Sequence, residues 1–511
     1  DITVADYTAD FDITLSNIGS VSADDLALVM DKTNGDVVFS GAVTAVAGAA
    51  ANVKTVLEDA TLTLPVDVDV SLTTAHTLAE LKAINNATDG SIAFDGTGSN
   101  TGSAAVALSG AAVDVIAALD GVTGYTGGVT LTTAHTLAQL KTINDATGGS
   151  ISFDGTGSNT GSAAVALSGT AEVVAAALDG VTGYTGGVTL TTAHTLAQLK
   201  TINDATGGGI TFNDADVALS GTAADIIAAL AGVTNYTGDI TVTDIGGATI
   251  ADVEALVKLT AGSLTVTIAN TESGTLDLNV TGARTTVNNI TLGDGAVDVN
   301  GGDAVDNITL GSGVNTLNLG DGADTVVGTD VTADGDTINT GGKADTVTLN
   351  KETGAAFSVS INTGGHDDAI NISDGTVDSG DTVQIDGDVG NDTLTITGTN
   401  NFTGSPSFVN IETILIRSDV TLTDKQVAAV GGNISVHPDQ FSDYANGVLN
   451  VGESHAITVT KVAGDAANEV TLTGMKGVTA VEVGAGVTVE ISDAAAAELA
   501  TTAGTGGITF V

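Results

Sequence analysis

Three nine-residue units run in unbroken register from Gly301 to Val327: GGDAVDNIT, LGSGVNTLN and LGDGADTVV. The sixth position is Asp306, Asn315 and Asp324, and the eighth is Ile308, Leu317 and Val326. The second is Gly302, Gly311 and Gly320, and the fourth is Ala304, Gly313 and Gly322. Each residue type has a physical reason. Glycine lets a tight turn visit positive φ and lets backbone carbonyls face a common point. Aspartate adds a hard, charged oxygen, and Ca²⁺ takes roughly six to eight oxygens at about 2.3–2.6 Å. The apolar eighth position is expected on a short strand, pointing inward.

This pattern resembles the G-G-x-G-x-D-x-U-x nonapeptide of the calcium-binding repeats-in-toxin (RTX) family of bacterial secreted proteins. The resemblance covers roughly Asn288 to Gly398. It implies a parallel β-roll in which two nonads make one coil, so that loops two nonads apart stack on one edge. Asn288, Asp306 and Asp324 would then share one edge. Val297 and Asn315 would fall on the other, where weaker calcium binding is expected. The expected calcium-site residues are Gly302, Asp303, Asp306, Gly311, Gly313, Asn315, Gly320, Asp321, Gly322 and Asp324. Less regular continuations add Asp336, Asp345, Asp368, Asp381 and Asp392. A strand of the type found in FVNIETILI, Phe408–Ile416, often closes such blocks in the family.

A second, longer repeat fills much of the N-terminal half. VTLTTAHTLAQLKTINDATGG at Val129–Gly149 recurs letter for letter at Val188–Gly208, with a close copy at Val70–Gly90. The period is 59 residues, and it carries His76, His135 and His194 as well as Phe94, Phe153 and Phe212. Such a period points to a tandem array. The unit reads as strand, helix, strand, strand, helix. Thr136 is placed to cap a helix with Leu137, Leu140 and Ile143 on one face. Thr170 is placed to cap another, with a stripe of Val173, Val174, Ala177, Leu178 and Val181. Strand–helix units return after the nonads, at Val420–Val436 and Val487–Phe510. The fold expected is a β-rich α/β repeat protein: a solenoid of strand–helix–strand units flanking a parallel β-roll. The divisions are 1–66 (a degenerate repeat), 67–280 (the 59-residue repeats), 281–400 (the calcium-binding β-roll) and 401–511 (a C-terminal strand–helix region).

Charge narrows the partners. The formal net charge is −49, with 62 acidic against 13 basic residues. Nucleic acid is excluded as a partner, because phosphate binding needs a basic face. Cations are favoured, since between Asn288 and Gly398 there are 18 Asp and one Glu against two Lys. The chain has no Cys, so thiolate metal sites and disulfides are ruled out. No apolar run is long enough for a membrane-spanning helix, so no membrane insertion is expected.

Catalysis finds little foothold. There is no H-E-x-x-H and no G-x-S-x-G, and His occurs six times. Aromatic residues are only 3%, which argues against a carbohydrate cleft. His76, His135 and His194 could form a metal-binding row, but each sits alone beside a helix start, so local packing and hydrogen bonding to the helix entry are preferred. Tyr125, Tyr184 and Tyr236 read as seam residues between repeats. The loops Asp95–Ser103 and Asp154–Ser162 offer one carboxylate each and read as surface turns.

The reading that follows is a non-enzymatic, secreted or cell-surface structural protein. It would be a calcium-bound, self-assembling subunit of a bacterial surface layer, filament or matrix, with cell-surface polysaccharide as a further partner. A calcium-stabilised adhesin stalk and a non-catalytic module of a secreted enzyme are the alternatives. The RTX resemblance implies the secretion.

Overall fold

Short β-branched runs bounded by glycine favour strands, and threonine before an apolar helix face favours a capped start. Both rules act locally along this chain. The computed structural model describes residues 11–416 apart from 17–18, 96–102, 155–162, 280–286, 329–334, 351–356, 374–375, 398–399 and 407; beyond 416 it describes chiefly strands. The polar loops after Asp95 and Asp154 and the helix expected within Val487–Phe510 therefore lie outside the described residues. The protein is β-rich, with parallel sheets and helices of about ten residues or fewer. It divides into two units: Asp1–Val217 with Ala228–Thr234, and Ala218–Ile227 with Asn235–Val511.

In the first unit, helices Leu78–Ala87, Leu137–Ala146 and Leu196–Ala205 start on identical capping boxes. Thr136 Oγ1 accepts the Gln139 N–H while the Gln139 side chain takes the Thr136 N–H. Thr77 with Glu80 and Thr195 with Gln198 do the same. Each box satisfies two donors the first turn would otherwise leave unpaired. Leu140 and Ile143 are buried, as the spacing requires. In the partner helix Ala171–Leu178, capped by Thr170, the buried residues are Ala171, Val174, Ala177 and Leu178. Val173 is only half-buried, so Ala171 takes its place on the inward face.

Three-residue strands accompany these helices. Leu108, Val129 and Ile151 pair in parallel register, as do Leu167, Val188 and Ile210 in the next repeat. The third strand of the repeat unit is only Leu108–Gly110 in the first copy, preceded by a 3₁₀ turn at Ser103–Ala105. His76 stacks on Phe94 at 5.4 Å and tilts against Tyr125 at 6.0 Å. His135 repeats this with Phe153 and Tyr184, and His194 stacks on Phe212 at 4.9 Å. The tyrosine hydroxyls of Tyr125 and Tyr184 donate to the carbonyls of Val106 and Val165. These are packing clusters; at His76 neither ring nitrogen has a hydrogen-bond partner, so the expected bond to the helix entry is not made there, and the ring is held by its aromatic neighbours. Burial lowers the affinity of all three imidazoles for a proton.

The second unit contains two long parallel sheets, fed by alternate strands from Leu264–Thr267 onward, and two smaller parallel sheets that begin at Asn400–Asn401 and Glu469–Leu472. Of the long pair, one runs in order through Leu219–Gly221, Ile240–Val242, Leu264–Thr267, Asn288–Thr291, Asp306–Leu310, Thr325–Gly328, Thr346–Leu349, Ala369–Ile372, Thr393–Ile396, Thr413–Ile416 and Ile434–Val436. The other takes Gly274–Asp277, Val297–Gly302, Thr316–Gly320, Asp336–Gly341, Ser358–Asn362 and Thr382–Asp386. Apolar residues alternate inward on both. Ile308, Val326, Val347 and Ile370 line the first, and Leu317, Ile338, Ile361 and Ile385 the second, all fully buried or nearly so. Each such side chain stabilises the unit by about 1.5–3 kcal/mol through area removed from water.

The candidate cation-binding edge

The sixth-position carboxylates come together on one edge. Asn288 pairs with Asp306 in the sheet register, and the side chain of Asn288 donates Nδ2 to Asp306 Oδ1 at 2.7 Å. From there the pattern propagates through the backbone. Asp324 Oδ1 accepts the N–H of Asp306 at 2.8 Å, and Asp345 Oδ1 accepts that of Asp324 at 2.7 Å. Asp368 Oδ1 accepts the Asp345 N–H at 2.7 Å, and Asp392 Oδ1 accepts that of Asp368 at 2.8 Å. The last step among the described residues is to Glu412, whose Oε2 accepts the Asp392 N–H at 2.8 Å. Asp306, Asp324, Asp345, Asp368 and Asp392 are all buried.

The chain step along this file is 18 residues in the regular nonads, then 21, 23, 24 and 20. The carboxylate keeps its place although the loop lengths drift. Strand register fixes it, because Thr325, Thr346, Ala369 and Thr393 stay paired one residue beyond each aspartate. Glu412 was missed as a site residue. Its only sequence signal is an acid at the start of the strand in FVNIETILI, without the glycines.

In Asp324, Asp345, Asp368 and Asp392, Oδ1 is thus used by the preceding strand. The Oδ2 atoms of Asp324, Asp345, Asp368 and Asp392 are buried and have no hydrogen-bond partner. An unsatisfied buried carboxylate oxygen is costly, so these groups call for a proton or a cation. Burial pushes Asp324 up to about 7 and Asp368 and Asp392 up to about 6, and it raises Asp345. Neighbouring carboxylates add to the rise at Asp324, Asp368 and Asp392. The backbone N–H bonds to these carboxylates oppose it most, then the hydroxyls of Thr340 at Asp345 and Thr363 at Asp368, and last Lys343 and His366, from exposed turn positions at φ of 77° and 85°.

The opposite edge has an amide, Asn315, where the first edge has carboxylates. Asn315 Oδ1 accepts the Val297 N–H at 3.1 Å, and Asp336 Oδ1 accepts the Asn315 N–H at 2.7 Å. Asp336 Oδ2 is buried without a partner, and burial raises this group to about 6. Asp381 departs from the pattern. Its two oxygens accept the N–H groups of Phe357 and Asp378, so it closes a turn. Asp303 and Asp321 are exposed on turns.

The glycines act mainly by close approach. Gly320 alone among Gly302, Gly311, Gly313, Gly320 and Gly322 has a positive φ, of 100°. A Cβ on Gly311 would overlap the carbonyl oxygen of Gly293, and one on Gly322 would overlap Asp324 Oδ1. The turns are therefore drawn tightly against one another, and against the carboxylate they surround.

Among the described residues no three His, Asp or Glu side chains converge as a cluster able to hold a metal. A cation here would draw further donors from backbone carbonyls, as Ca²⁺ does. The donor set fits such an ion: hard oxygens, anionic, buried and only half satisfied. The chain matches no protein-family model, no curated protein and no solved structure.

Proposed function

We propose that this is a secreted, calcium-ordered structural protein, a self-assembling subunit of a bacterial surface layer or extracellular filament. The second unit is read as a parallel β-roll within an α/β solenoid. The observation that carries the reading is the file from Asp306 to Glu412, in which the Oδ2 of four successive aspartates is buried without a donor. Asp324, Asp345, Asp368 and Asp392 would hold Ca²⁺, with Asp306 and Asp336 contributing and Asp381 serving the turn. The ion would neutralise like charges on neighbouring strands and so let the coils close.

Repeats on both sides of the file suit a scaffold better than a catalyst. Parallel sheets also end in open edges. Gly19–Ser22 is such an edge among the described strands, pairing only with Val43–Gly48. Open edges invite pairing with another copy, which gives a head-to-tail polymer when the contact does not close on itself. Among the described residues no helix is long and apolar enough to cross a membrane. The test is a calcium titration of the full chain, followed by circular dichroism and light scattering with a chelator control. Calcium should raise strand content first and particle size next. A chain that folds equally well in chelator and stays monomeric in millimolar calcium would overturn the reading.

A further inference from the structure

We infer that the outward face of the longer sheet in the second unit is the surface on which a second copy of this chain packs. The inference rests on the reading of a self-assembling subunit and adds where the copies meet side by side. Two columns of side chains stand outward on this sheet. One runs in unbroken register from Ser220 through Thr241 and Thr265 to Thr413. The other runs from Thr267 to Leu415. Every position in both is Thr, Ser, Asn, Ala, Val or Leu. None carries charge, in a chain of net charge −49.

The two long sheets of the second unit differ in this, although the short sheets of the first unit also carry uncharged columns, Ser109–Thr130–Ser152 and Ser168–Thr189–Thr211. The outward positions of the shorter sheet include Asp277, Asp298 and Asp386. Exposed carboxylates also stand on the turns, at Asp303 and Asp321. Two copies meeting on those surfaces would set like charges against each other, a cost that low dielectric at a contact would increase. Meeting on the neutral columns avoids it.

The polar groups on this face also bond along it. Asn307 Nδ2 donates to Asn289 Oδ1 at 2.8 Å, and Asn371 Nδ2 donates to Thr348 Oγ1 at 3.3 Å. A partner can therefore cover the face without stranding those amides, as ladders of this kind allow between stacked sheets. Strand spacing of about 4.7–4.9 Å is common to both copies, so the ridges of one match the grooves of the other.

The test compares Thr346→Glu with Asn318→Glu, on the longer and the shorter sheet, by sedimentation velocity of the full chain in millimolar calcium. Circular dichroism with and without chelator confirms folding. Thr346→Glu should weaken self-association by about tenfold or more, and Asn318→Glu should leave it unchanged. A second measurement uses the absence of native Cys. Thr348→Cys should be protected from a maleimide in the assembled state, while Asn318→Cys should stay reactive. Assembly of a folded Thr346→Glu protein like that of the unaltered chain, with Thr348→Cys freely labelled, would overturn this surface and leave the calcium-ordered polymer standing. An unaltered chain that never assembles would overturn both. A monomeric chain retained on ice or on insoluble polysaccharide, with retention lost in Thr346→Glu, would overturn the second copy as occupant.

Discussion

Asp324 Oδ1 accepts the backbone N–H of Asp306 at 2.8 Å, across 18 residues of sequence. The bond occupies one carboxylate oxygen and turns the other, Oδ2, into a buried site without a donor. Asp345, Asp368 and Asp392 repeat the arrangement. Structural role and ligand capacity are thus divided between the two oxygens of one side chain.

Substituting Asp324→Asn separates those roles. The amide oxygen still accepts the Asp306 N–H, while the charge is lost. In chelator the variant should be more stable than the unaltered chain by about 1–3 kcal/mol, because no buried charge goes unpaired. The gain calcium confers should shrink. Denaturant melts with and without calcium measure both quantities.

The two units should respond to acid in opposite senses. For Asp324, Asp368 and Asp392 the folded pKa lies above the ordinary carboxylate value, mainly because of burial. Protons then bind the folded state more tightly. In the absence of calcium, stability is greatest near pH 4 and is lost as pH rises toward about 7, the value for Asp324. For His76, His135 and His194 burial lowers the folded pKa, so their contribution is complete above the unfolded value and falls as pH drops below it. Hydrogen exchange in chelator at pH 5 and pH 7.5 resolves both units. Uniform loss of protection at pH 5 in both would contradict this account.

His135→Leu tests the histidine half directly. The ring stacks on Phe153 at 5.4 Å and is buried. Leucine keeps an apolar group there and removes the titration. Melting of the first unit should become less sensitive to pH between 5 and 7, although some packing is lost.

Gly311→Ala should be disruptive although Gly311 has no positive φ, since the added methyl meets the Gly293 carbonyl oxygen. A loss of about 1–3 kcal/mol is expected. Gly365→Ala is the comparison, because a Cβ there meets nothing within 4 Å. Equal effects in calorimetry would count against steric contact as the cause.

Asn144→Ala should destabilise the first unit by about 1–2 kcal/mol. Asn144 Nδ2 donates to the carbonyls of Ala176 at 2.7 Å and Asp179 at 3.0 Å, capping the end of the neighbouring helix. Asn85 does the same for Ala117 and Asp120. Thermal melts of Asn85→Ala and Asn144→Ala should therefore agree.

Much was legible in the chain because the signals are local. Thr136 with Gln139 marks a capped helix through contacts three residues apart, and Leu140 with Ile143 marks its buried face. The nine-residue phase marks the inward Ile308 and Val326 and the alternation of edges. Asp345, Asp368 and Asp392 were legible as site residues, but loop-length drift, with 21 to 24 residues between partners, hid which of them share an edge. Glu412 was hidden for the same reason.

The sequence by itself determined periodicity: which residues point inward, where helices start, and that carboxylates recur at one place in each turn. Those follow from backbone geometry over a few residues. Tertiary structure alone decided that Asp345, Asp368 and Asp392 join the edge of Asp306 and Asp324, that Asp381 spends both oxygens on backbone N–H groups, and that Asp324 keeps one bare. It also set Asn289 beside Asn307 on a face without charge. These depend on strand register between residues far apart in the chain, and that register is set by the packing of whole strands.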